Sequence, residues 1–159
     1  MKKILVTGGA GYIGSHTIVE LIAAGYTPII VDNLCNTSTQ NIDGIEKIID
    51  TEVKWHNVDC TEKEAMDKVF TEHGKIEGVI HFAAYKAVEE SVQNPQKYYD
   101  NNMGSLEVVL KCMQEHDVKN IIFSSSCTVY GMPDILPVDE NAPFKKAESP
   151  YGETKQICE

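Results

Sequence analysis

The 159-residue sequence has few basic residues for its size. Its 14 Lys and Arg residues stand against 24 Asp and Glu residues, which gives a formal net charge of −10 at pH 7. Nucleic acids and anionic lipid surfaces are bound by clusters of Lys and Arg side chains. The composition therefore predicts neither a nucleic acid nor a membrane surface as a partner.

Long hydrophobic runs are also absent. A membrane-spanning helix needs about 18 or more consecutive apolar residues, and no segment approaches that length. The amino-terminal apolar run, residues 4–6, is followed at once by Thr7 and glycines, so it indicates a strand rather than a signal peptide. We therefore expect a soluble, cytoplasmic protein.

Paired cysteines are missing as well. The five cysteines are odd in number and include no Cys-x-x-Cys pair, which fits a reducing cytosol better than a disulfide framework. Because four of the five histidines also share no metal-ligand spacing, the sequence predicts no metal site. The cysteines are Cys35, Cys60, Cys112, Cys127 and Cys158, and the four histidines are His16, His56, His73 and His116.

Short apolar runs alternate with longer helical stretches along the chain. The runs are rich in Ile and Val and nearly continuous, which is typical of parallel strands covered on both faces. The alternation predicts an α/β fold with a doubly wound parallel sheet. The predicted strands are Lys3–Thr7, Pro28–Asp32, Val53–Asp59, Gly78–Ala83 and Asn120–Ser125, and the predicted helices are Tyr12–Ala24, Ile42–Asp50, Thr61–His73 and Pro95–His116.

Two of these helices carry local patterns that the structure can test. Thr61 and Glu64 form a capping-box pattern at the start of the third helix. A core-facing stripe is predicted in the fourth helix from Leu106, Val109, Leu110 and Met113. The segment 131–149 is predicted to be a long loop, and loops of that length are usually functional or disordered.

A glycine-rich segment joins the first predicted strand to the first predicted helix. Gly9, Gly11 and Gly14 fit the Gly-x-Gly-x-x-Gly spacing, and Gly8 replaces Gly9 in a variant with two residues in each gap. Such glycines allow a tight turn, close approach of a pyrophosphate and packing of helix on strand. The helix amino terminus then presents N–H groups to the phosphates. The pattern predicts a dinucleotide site; the alternative is a glycine-rich turn in a plain α/β protein.

An acidic residue ends the second predicted strand. Asp32 is placed to accept hydrogen bonds from both hydroxyls of an adenosine ribose, and its charge would repel a 2′-phosphate. The following loop, Asn33–Ser38, contains no Lys or Arg to bind that phosphate. The pattern predicts NAD rather than NADP, and the alternative is an Asp that caps a turn.

Tyr151 and Lys155 are spaced i, i+4 and share one face of a predicted helix. An ammonium next to a phenol favours the phenolate and lowers a pKa that starts at about 10, which would make Tyr151 a base for an alcohol. The spacing is common on helices, so the interpretation depends on the glycine loop and on the serines at 124–126. Ser126 is expected to relay a proton between a sugar hydroxyl and Tyr151.

Two further side chains allow other interpretations. Cys127 is a possible thiol nucleophile, although no His partner lies near it in the sequence. His81 lies late in the fourth predicted strand and is expected to be a hydrogen-bonded, partly buried histidine rather than a catalyst.

Together these segments resemble the extended short-chain dehydrogenase/reductase family, and within it the enzymes that epimerise UDP-sugars at carbon 4. The resemblance covers essentially the whole chain. It rests on TGGAGYIGSH from Thr7, VDNLCN from Val31, HFAAYKAVEESV from His81, YYDNN from Tyr98, FSSSCTVYG from Phe123 and SPYGETK from Ser149.

The resemblance implies a role for each matching position. Tyr151 would be the general base, Lys155 its electrostatic partner and a clamp on the nicotinamide ribose, and Ser126 the hydroxyl that meets the sugar. Besides Tyr151 and Lys155, the positions implied to bind NAD are Gly8, Gly11, Tyr12, Ile13, Gly14, Asp32, Asn33, Leu34, Cys35, Asn36, Thr37, Asp59, Cys60, Phe82, Ala83, Ala84, Lys86, Asn101 and Ser124. Ala84 and Cys127 depart from the commonest family residues without removing a catalytic group.

The implied activity is interconversion of UDP-glucose and UDP-galactose through transient oxidation of the sugar at carbon 4. A dehydratase of the same family would need Asp-Glu where Cys127 and Thr128 stand. Epimerases of UDP-N-acetylglucosamine, UDP-xylose or UDP-glucuronate stay open as alternatives.

Because the chain ends inside a predicted helix, residues 1–159 are expected to be an incomplete NAD-binding domain without the nucleotide-sugar domain. Alone it is expected to be an inactive NAD-binding module; the full-length protein is a possible homodimer.

Overall fold

The computed structural model describes every residue of the chain, Met1–Glu159. The residues group into two compact units. Unit 1 consists of Met1–Ala83 and Ser105–Ser124, and unit 2 consists of Ala84–Gly104 and Ser125–Glu159.

Unit 1 contains a five-stranded sheet in which every neighbouring pair of strands is parallel. The strand order is β3-β2-β1-β4-β5. This order, with crossover helices between successive strands, is that of the Rossmann fold, and it confirms the predicted doubly wound sheet. The strands are β1 Lys3–Thr7, β2 Thr27–Asp32, β3 Lys54–Asn57, β4 Gly78–His81 and β5 Ile121–Phe123.

Helices cover both faces of this sheet because side chains alternate along each strand. Leu5 of β1 belongs to one buried cluster, together with Phe70 and Val109. The next residue, Val6, belongs to a second cluster that contains Ile18 and Ile45. The main helices of unit 1 are α1 Tyr12–Ala23, α2 Thr39–Ile49, α3 Lys63–His73 and α6 Gly104–Glu115.

Unit 2 is built from short helical segments. These are α4 Val88–Gln93, α5 Pro95–Tyr98, a π-helical segment Tyr99–Met103, a 3₁₀ turn Cys127–Tyr130 and α7 Pro150–Cys158. Between the 3₁₀ turn and α7 no helix or strand forms, as predicted for the long loop. None of the helices in the protein combines the length and apolar character needed to cross a membrane.

Three local predictions were wrong. The capping box does not form: α3 begins at Lys63 without a side-chain cap, and the Thr61 N–H and hydroxyl are both directed to the Asp59 carboxylate that precedes the helix. The helix predicted from Pro95 is interrupted by the π-helical segment before α6 begins. Leu110 is 45% exposed, so the buried stripe of α6 consists of Leu106, Val109, Cys112 and Met113.

Candidate functional site

The glycine loop of unit 1 has the tight geometry that the sequence predicts. Gly8 has a positive φ of 67°, and a Cβ there would lie 2.8 Å from the backbone nitrogen of Ala83. A Cβ on Gly14 would lie 2.3 Å from the carbonyl oxygen of Gly8. Real Cβ atoms essentially never approach that closely, so both positions require glycine. Helix α1 therefore packs directly onto the turn that follows β1.

The amino terminus of α1 is open for an anion. Gly11 is its N-cap residue, no side chain caps the helix, and no acidic residue lies in its first turn. A Cβ on Gly11 would meet only the Gly8 carbonyl oxygen, at 3.1 Å. Tyr12 and Ile13, at the start of the helix, are largely exposed. The positive end of the helix dipole is thus accessible to a phosphate group.

The Asp32 carboxylate lies at the end of β2 beside this loop and is only 8% exposed. One oxygen accepts from the Ala10 backbone N–H at 3.1 Å, and the other accepts from the Leu34 N–H at 2.9 Å. An ionised carboxylate oxygen has two acceptor sites, so each oxygen retains capacity for a ligand hydroxyl. Leu34 itself takes a left-handed backbone with φ of 57°, which turns the loop away from the strand.

Asn33 and Asp59 form a second polar pair at the ends of β2 and β3. Asn33 donates to Asp59 at 2.8 Å, while Thr61 donates to the other oxygen through its N–H at 2.9 Å and its hydroxyl at 2.7 Å. Burial tends to raise the pKa of Asp59, but these hydrogen bonds together outweigh burial and lower the pKa. Burial, with the Asp59 and Asp32 charges, raises the pKa of the neighbouring Cys60 thiol, which makes this cysteine unreactive.

The remaining predicted positions of the loop after β2 divide into anchored and exposed residues. The Thr37 hydroxyl donates to the Ala10 carbonyl at 2.9 Å. Cys35 and Asn36 are exposed, and the Cys35 N–H donates to the Asn33 side chain. Asn41, which sequence analysis missed, also donates to the Ala10 carbonyl, at 2.7 Å. Asn41 belongs to no recognisable sequence motif, so its role in anchoring this loop is visible only in the structure.

The carboxyl end of β4 supplies the last predicted positions of unit 1. His81 is 1% exposed, and its Nδ1 lies 2.8 Å from the Thr7 hydroxyl, so it is a buried structural histidine. Phe82 and Ala83 follow it and are partly buried. The Ser124 N–H donates to the His81 carbonyl at 3.1 Å, which places Ser124 beside the end of β4.

In unit 2, helix α7 carries Tyr151 and Lys155 as predicted. The Ser149 hydroxyl caps the helix by accepting from the Gly152 N–H at 3.1 Å, and Pro150 occupies the first turn. Tyr151 is partly exposed, whereas Lys155 is only 5% exposed. Burial lowers the pKa of Lys155, and the nearby Cys158 and Glu159 charges offset part of that effect. Its ammonium is therefore poorly screened by water.

The turn that carries Ser126 packs against α7. The Ser126 hydroxyl accepts from the Thr128 side chain at 3.0 Å and caps the 3₁₀ turn. A Cβ on Gly152 would lie 3.4 Å from the Thr128 side chain, which is ordinary contact distance. Gln156, another residue that sequence analysis missed, donates from α7 to the Val129 carbonyl at 2.6 Å. The turns of Ser126 and Tyr151 are thus held together within unit 2.

Asn102 is the main residue that sequence analysis missed. It is buried in the π-helical segment, accepts from the Tyr85 N–H at 2.8 Å and donates to the Tyr85 carbonyl at 3.0 Å. Its side chain also donates to the Thr154 hydroxyl at 3.2 Å, and Thr154 in turn donates to the Tyr151 carbonyl at 2.7 Å. The neighbouring Asn101, which was predicted, donates to Asn102 at 2.9 Å. This chain of bonds fixes α7 from inside unit 2.

Three other predicted or alternative positions of unit 2 lie nearer the surface. Ala84 is partly buried and Lys86 is exposed. Cys127, the alternative nucleophile, is an exposed free cysteine next to Ser126. These positions remain predictions.

A parallel Rossmann sheet with an open glycine loop and a strand-end carboxylate defines a dinucleotide-binding α/β protein. The model of the NAD dependent epimerase/dehydratase family matches residues 4–159, and the chain belongs to that family.

Named relatives and solved structures agree with this assignment. The chain is 52% identical over 157 residues to a UDP-glucose 4-epimerase of Dictyostelium discoideum, covering 99% of the chain and 45% of the relative. It is 47% identical over 156 residues to that of Bacillus subtilis, covering 98% and 45%. The crystal structure of the Bifidobacterium longum UDP-glucose 4-epimerase with NAD⁺ and UDP superposes with a TM-score of 0.96 at 47% identity, covering 99% and 47%. The chain spans about half the length of the curated relatives it matches.

Proposed function

We propose that the chain is the NAD-binding part of a UDP-glucose 4-epimerase, which interconverts UDP-glucose and UDP-galactose. The observation that carries this proposal is the docking of the Ser126 turn on the helix of Tyr151 and Lys155, through Gly152 and Gln156. This docking supports the assignment of Ser126 as the hydroxyl relay and Tyr151 as the base of one site. The relatives that are 47–52% identical are UDP-glucose 4-epimerases, which supports this choice of sugar.

The residues of unit 1 fit NAD on two counts. The loop at Gly11 leaves room for a pyrophosphate at the start of α1, where backbone N–H groups and the helix dipole favour negative charge. The Asp32 oxygens each accept one backbone hydrogen bond and retain capacity for the two hydroxyls of the adenosine ribose. The negative charge of Asp32 disfavours binding of NADP, which carries a 2′-phosphate on the same ribose. Asn33, Asp59 and Cys60 would border the adenine.

The residues of unit 2 supply acid–base chemistry. When bound, NAD would supply a reversible hydride acceptor for carbon 4 of the sugar. Tyr151 takes the proton of the 4-hydroxyl, with Ser126 as the relay, and gives it back when the 4-keto sugar is reduced. Lys155 would act as the electrostatic partner of Tyr151, because burial leaves its ammonium poorly screened by water, and would hold the nicotinamide ribose. Asn102 and Thr154 keep the helix in position.

The finer assignments are part of the same proposal. Residues 1–159 would be an incomplete NAD-binding domain, and the nucleotide-sugar domain would belong to the length that the relatives have in addition. The full protein is proposed to be a cytoplasmic enzyme and a homodimer. Epimerases of other UDP-sugars are the second candidate. More distant structural neighbours support it, among them a UDP-Glc/GlcNAc 4-epimerase of Campylobacter jejuni at 34% identity.

The cofactor half of the proposal is tested by calorimetric titration of the chain with NAD. Asp32→Ala should weaken NAD binding by roughly tenfold or more, because a hydrogen bond to a charged group is worth about 1.5–3 kcal/mol. Asp43→Ala, which removes an exposed carboxylate from α2, is the matched control and should bind as the parent does. Equal NAD affinity in the Asp32 variant would contradict the assigned ribose site.

The catalytic half is tested in a hybrid in which the chain is joined to the carboxy-terminal part of the Dictyostelium relative. The hybrid should convert UDP-galactose, the chain alone should not, and Tyr151→Phe should abolish turnover while NAD binding is kept. Tyr26→Phe, at a partly exposed tyrosine outside the site, is the control. Normal turnover by the Tyr151 variant would place the base elsewhere. Preference of the full-length protein, rather than of the hybrid, for UDP-N-acetylgalactosamine would favour the second candidate.

A further inference from the structure

Two histidines from separate elements of unit 1 meet side by side. His56 lies in the edge strand β3, and His73 is the last residue of α3, 17 positions later. Their Nε2 atoms are 2.7 Å apart, and the ring planes are tilted by 83° with centroids 5.0 Å apart. Both side chains are half-buried. The two ring nitrogens thus point at one another.

A third potential ligand, a carboxylate, lies beside this pair. The carboxylate of Glu72 and the ligand nitrogens of His56 and His73 all lie within 4.8 Å of one another. Glu72 is exposed, so its side chain can rotate towards the imidazoles without leaving a packed position. Two imidazoles and one carboxylate form a donor set that suits zinc and other divalent transition metals, whereas Ca²⁺ and Mg²⁺ prefer oxygen ligands.

The distances are close to those of a metal chelate. Zn–N bonds are about 2.0–2.1 Å, so two nitrogens on a tetrahedral zinc lie about 3.3 Å apart. The rings would have to separate by about half an ångström. The His73 carbonyl accepts a hydrogen bond from the Lys3 ammonium at 2.5 Å, which holds the backbone in place. Rotation of the His73 side chain would therefore supply the separation.

The local charges also bear on metal binding. A metal needs the neutral form of both imidazoles. The Lys3 ammonium, which donates to the His73 carbonyl, opposes a bound cation, whereas the Glu72 carboxylate beside the two imidazoles attracts one. The carboxylate therefore favours a cation at this pair of histidines.

We propose that His56, His73 and Glu72 bind a divalent transition-metal ion, zinc in the first instance, that clamps the end of α3 to the edge strand β3. Three protein ligands leave a fourth coordination position that water can fill. The proposal is independent of the cofactor site, since its ligands lie on β3 and α3 and include none of the residues assigned to NAD or sugar.

Calorimetric titration of the reduced 159-residue chain with zinc chloride tests the proposal. We expect one zinc per chain, and loss of that binding in the double variant His56→Asn, His73→Asn. Glu72→Gln should weaken binding by at least about tenfold, since even outer-shell partners are worth 10–100-fold. His16→Asn, which removes an exposed histidine from α1, is the matched control and should keep the site. Equal zinc uptake by the double variant would overturn the proposal.

Cobalt substitution distinguishes this site from the five cysteines. Co²⁺ held by imidazole and carboxylate should give visible d–d absorption without the near-ultraviolet charge transfer of a thiolate ligand. A thiolate band as the main signal would assign the ion to cysteine and refute the site. NMR of the parent chain needs no variant: zinc should shift the imidazole signals of His56 and His73. Unchanged signals would mean that the two rings only share a proton.

Discussion

Replacing Gly14 with alanine tests the tight contact between the glycine loop and α1. The new Cβ would lie 2.3 Å from the Gly8 carbonyl oxygen and 2.7 Å from the Gly9 Cα. These are backbone atoms, and Cβ contacts below 3.0 Å are essentially never found. The Gly8 oxygen would have to retreat by about 0.7 Å and the Gly9 Cα by about 0.3 Å to reach that distance. Forcing such a shift costs about 1–3 kcal/mol, and the better helix propensity of alanine returns about 1 kcal/mol at most.

We therefore expect Gly14→Ala to lose about 1–2 kcal/mol of unfolding free energy. For a chain of this length that lowers the thermal midpoint by about 2–8 °C. The displaced loop should also lose at least one hydrogen bond to a phosphate, so NAD affinity should fall by roughly 10- to 100-fold. Scanning calorimetry and NAD titration measure both effects.

Gly44→Ala is the matched control for this substitution. Gly44 lies inside α2, and a Cβ there would meet no atom within 4 Å. The change should stabilise the protein by up to about 1 kcal/mol, or about 2–4 °C, and leave NAD affinity unchanged. If Gly14→Ala were as stable as Gly44→Ala and bound NAD as tightly, the loop would yield to the new Cβ and its contact with α1 would not be rigid.

Two further predictions concern ionisable groups. Because hydrogen bonds lower the pKa of Asp59, this carboxylate stabilises the fold above its unfolded pKa near 3.8, and that contribution disappears as the pH falls through the folded pKa. Asp59→Asn should lower the free energy of unfolding by about 1 kcal/mol at neutral pH. In urea unfolding, the difference between the variant and the parent should vanish in acid. A difference that stays constant with pH would refute the assignment. Because burial lowers the pKa of Lys155, the unfolded chain binds more protons between the lowered value and 10.5, so stability rises with pH across that window. Lys155→Met should therefore unfold at an equal or higher temperature at neutral pH, with a gain of about 2–4 °C for each 1 kcal/mol recovered. A clearly lower midpoint would mean that contacts of the ammonium outweigh the cost of burying it.

Sequence-based prediction was accurate where a local requirement leaves one solution. The turn after β1 needs a positive φ at Gly8 and no Cβ at Gly14, and both glycines were identified from spacing. The alternation of apolar runs and helical stretches gave the element order, because strands buried on both faces must be apolar throughout. Asp32 could be singled out from the sequence because it is the acidic residue that ends the apolar run of β2.

Prediction failed where a distant or competing partner decides the outcome. Thr61 has the sequence of a capping residue, but its N–H and hydroxyl both donate to the Asp59 carboxylate, and α3 begins two residues later, at Lys63, without a side-chain cap. Leu110 fits the apolar periodicity of α6, yet the packing leaves its side chain at the surface. Asn102 was missed because its importance lies in partners 17 and 52 positions away.

The amino-acid sequence alone determined the class of fold, the glycine turn, the strand-end carboxylate and the Tyr151–Lys155 pair, since each depends on backbone sterics or on spacing within one element. Only the tertiary structure decided the strand order, the inward position of Lys155, the bonds from Asn102 to the helix of Tyr151, and the meeting of His56 with His73. These features join residues far apart in the chain, and such contacts are specified by packing of the whole core rather than by any local pattern.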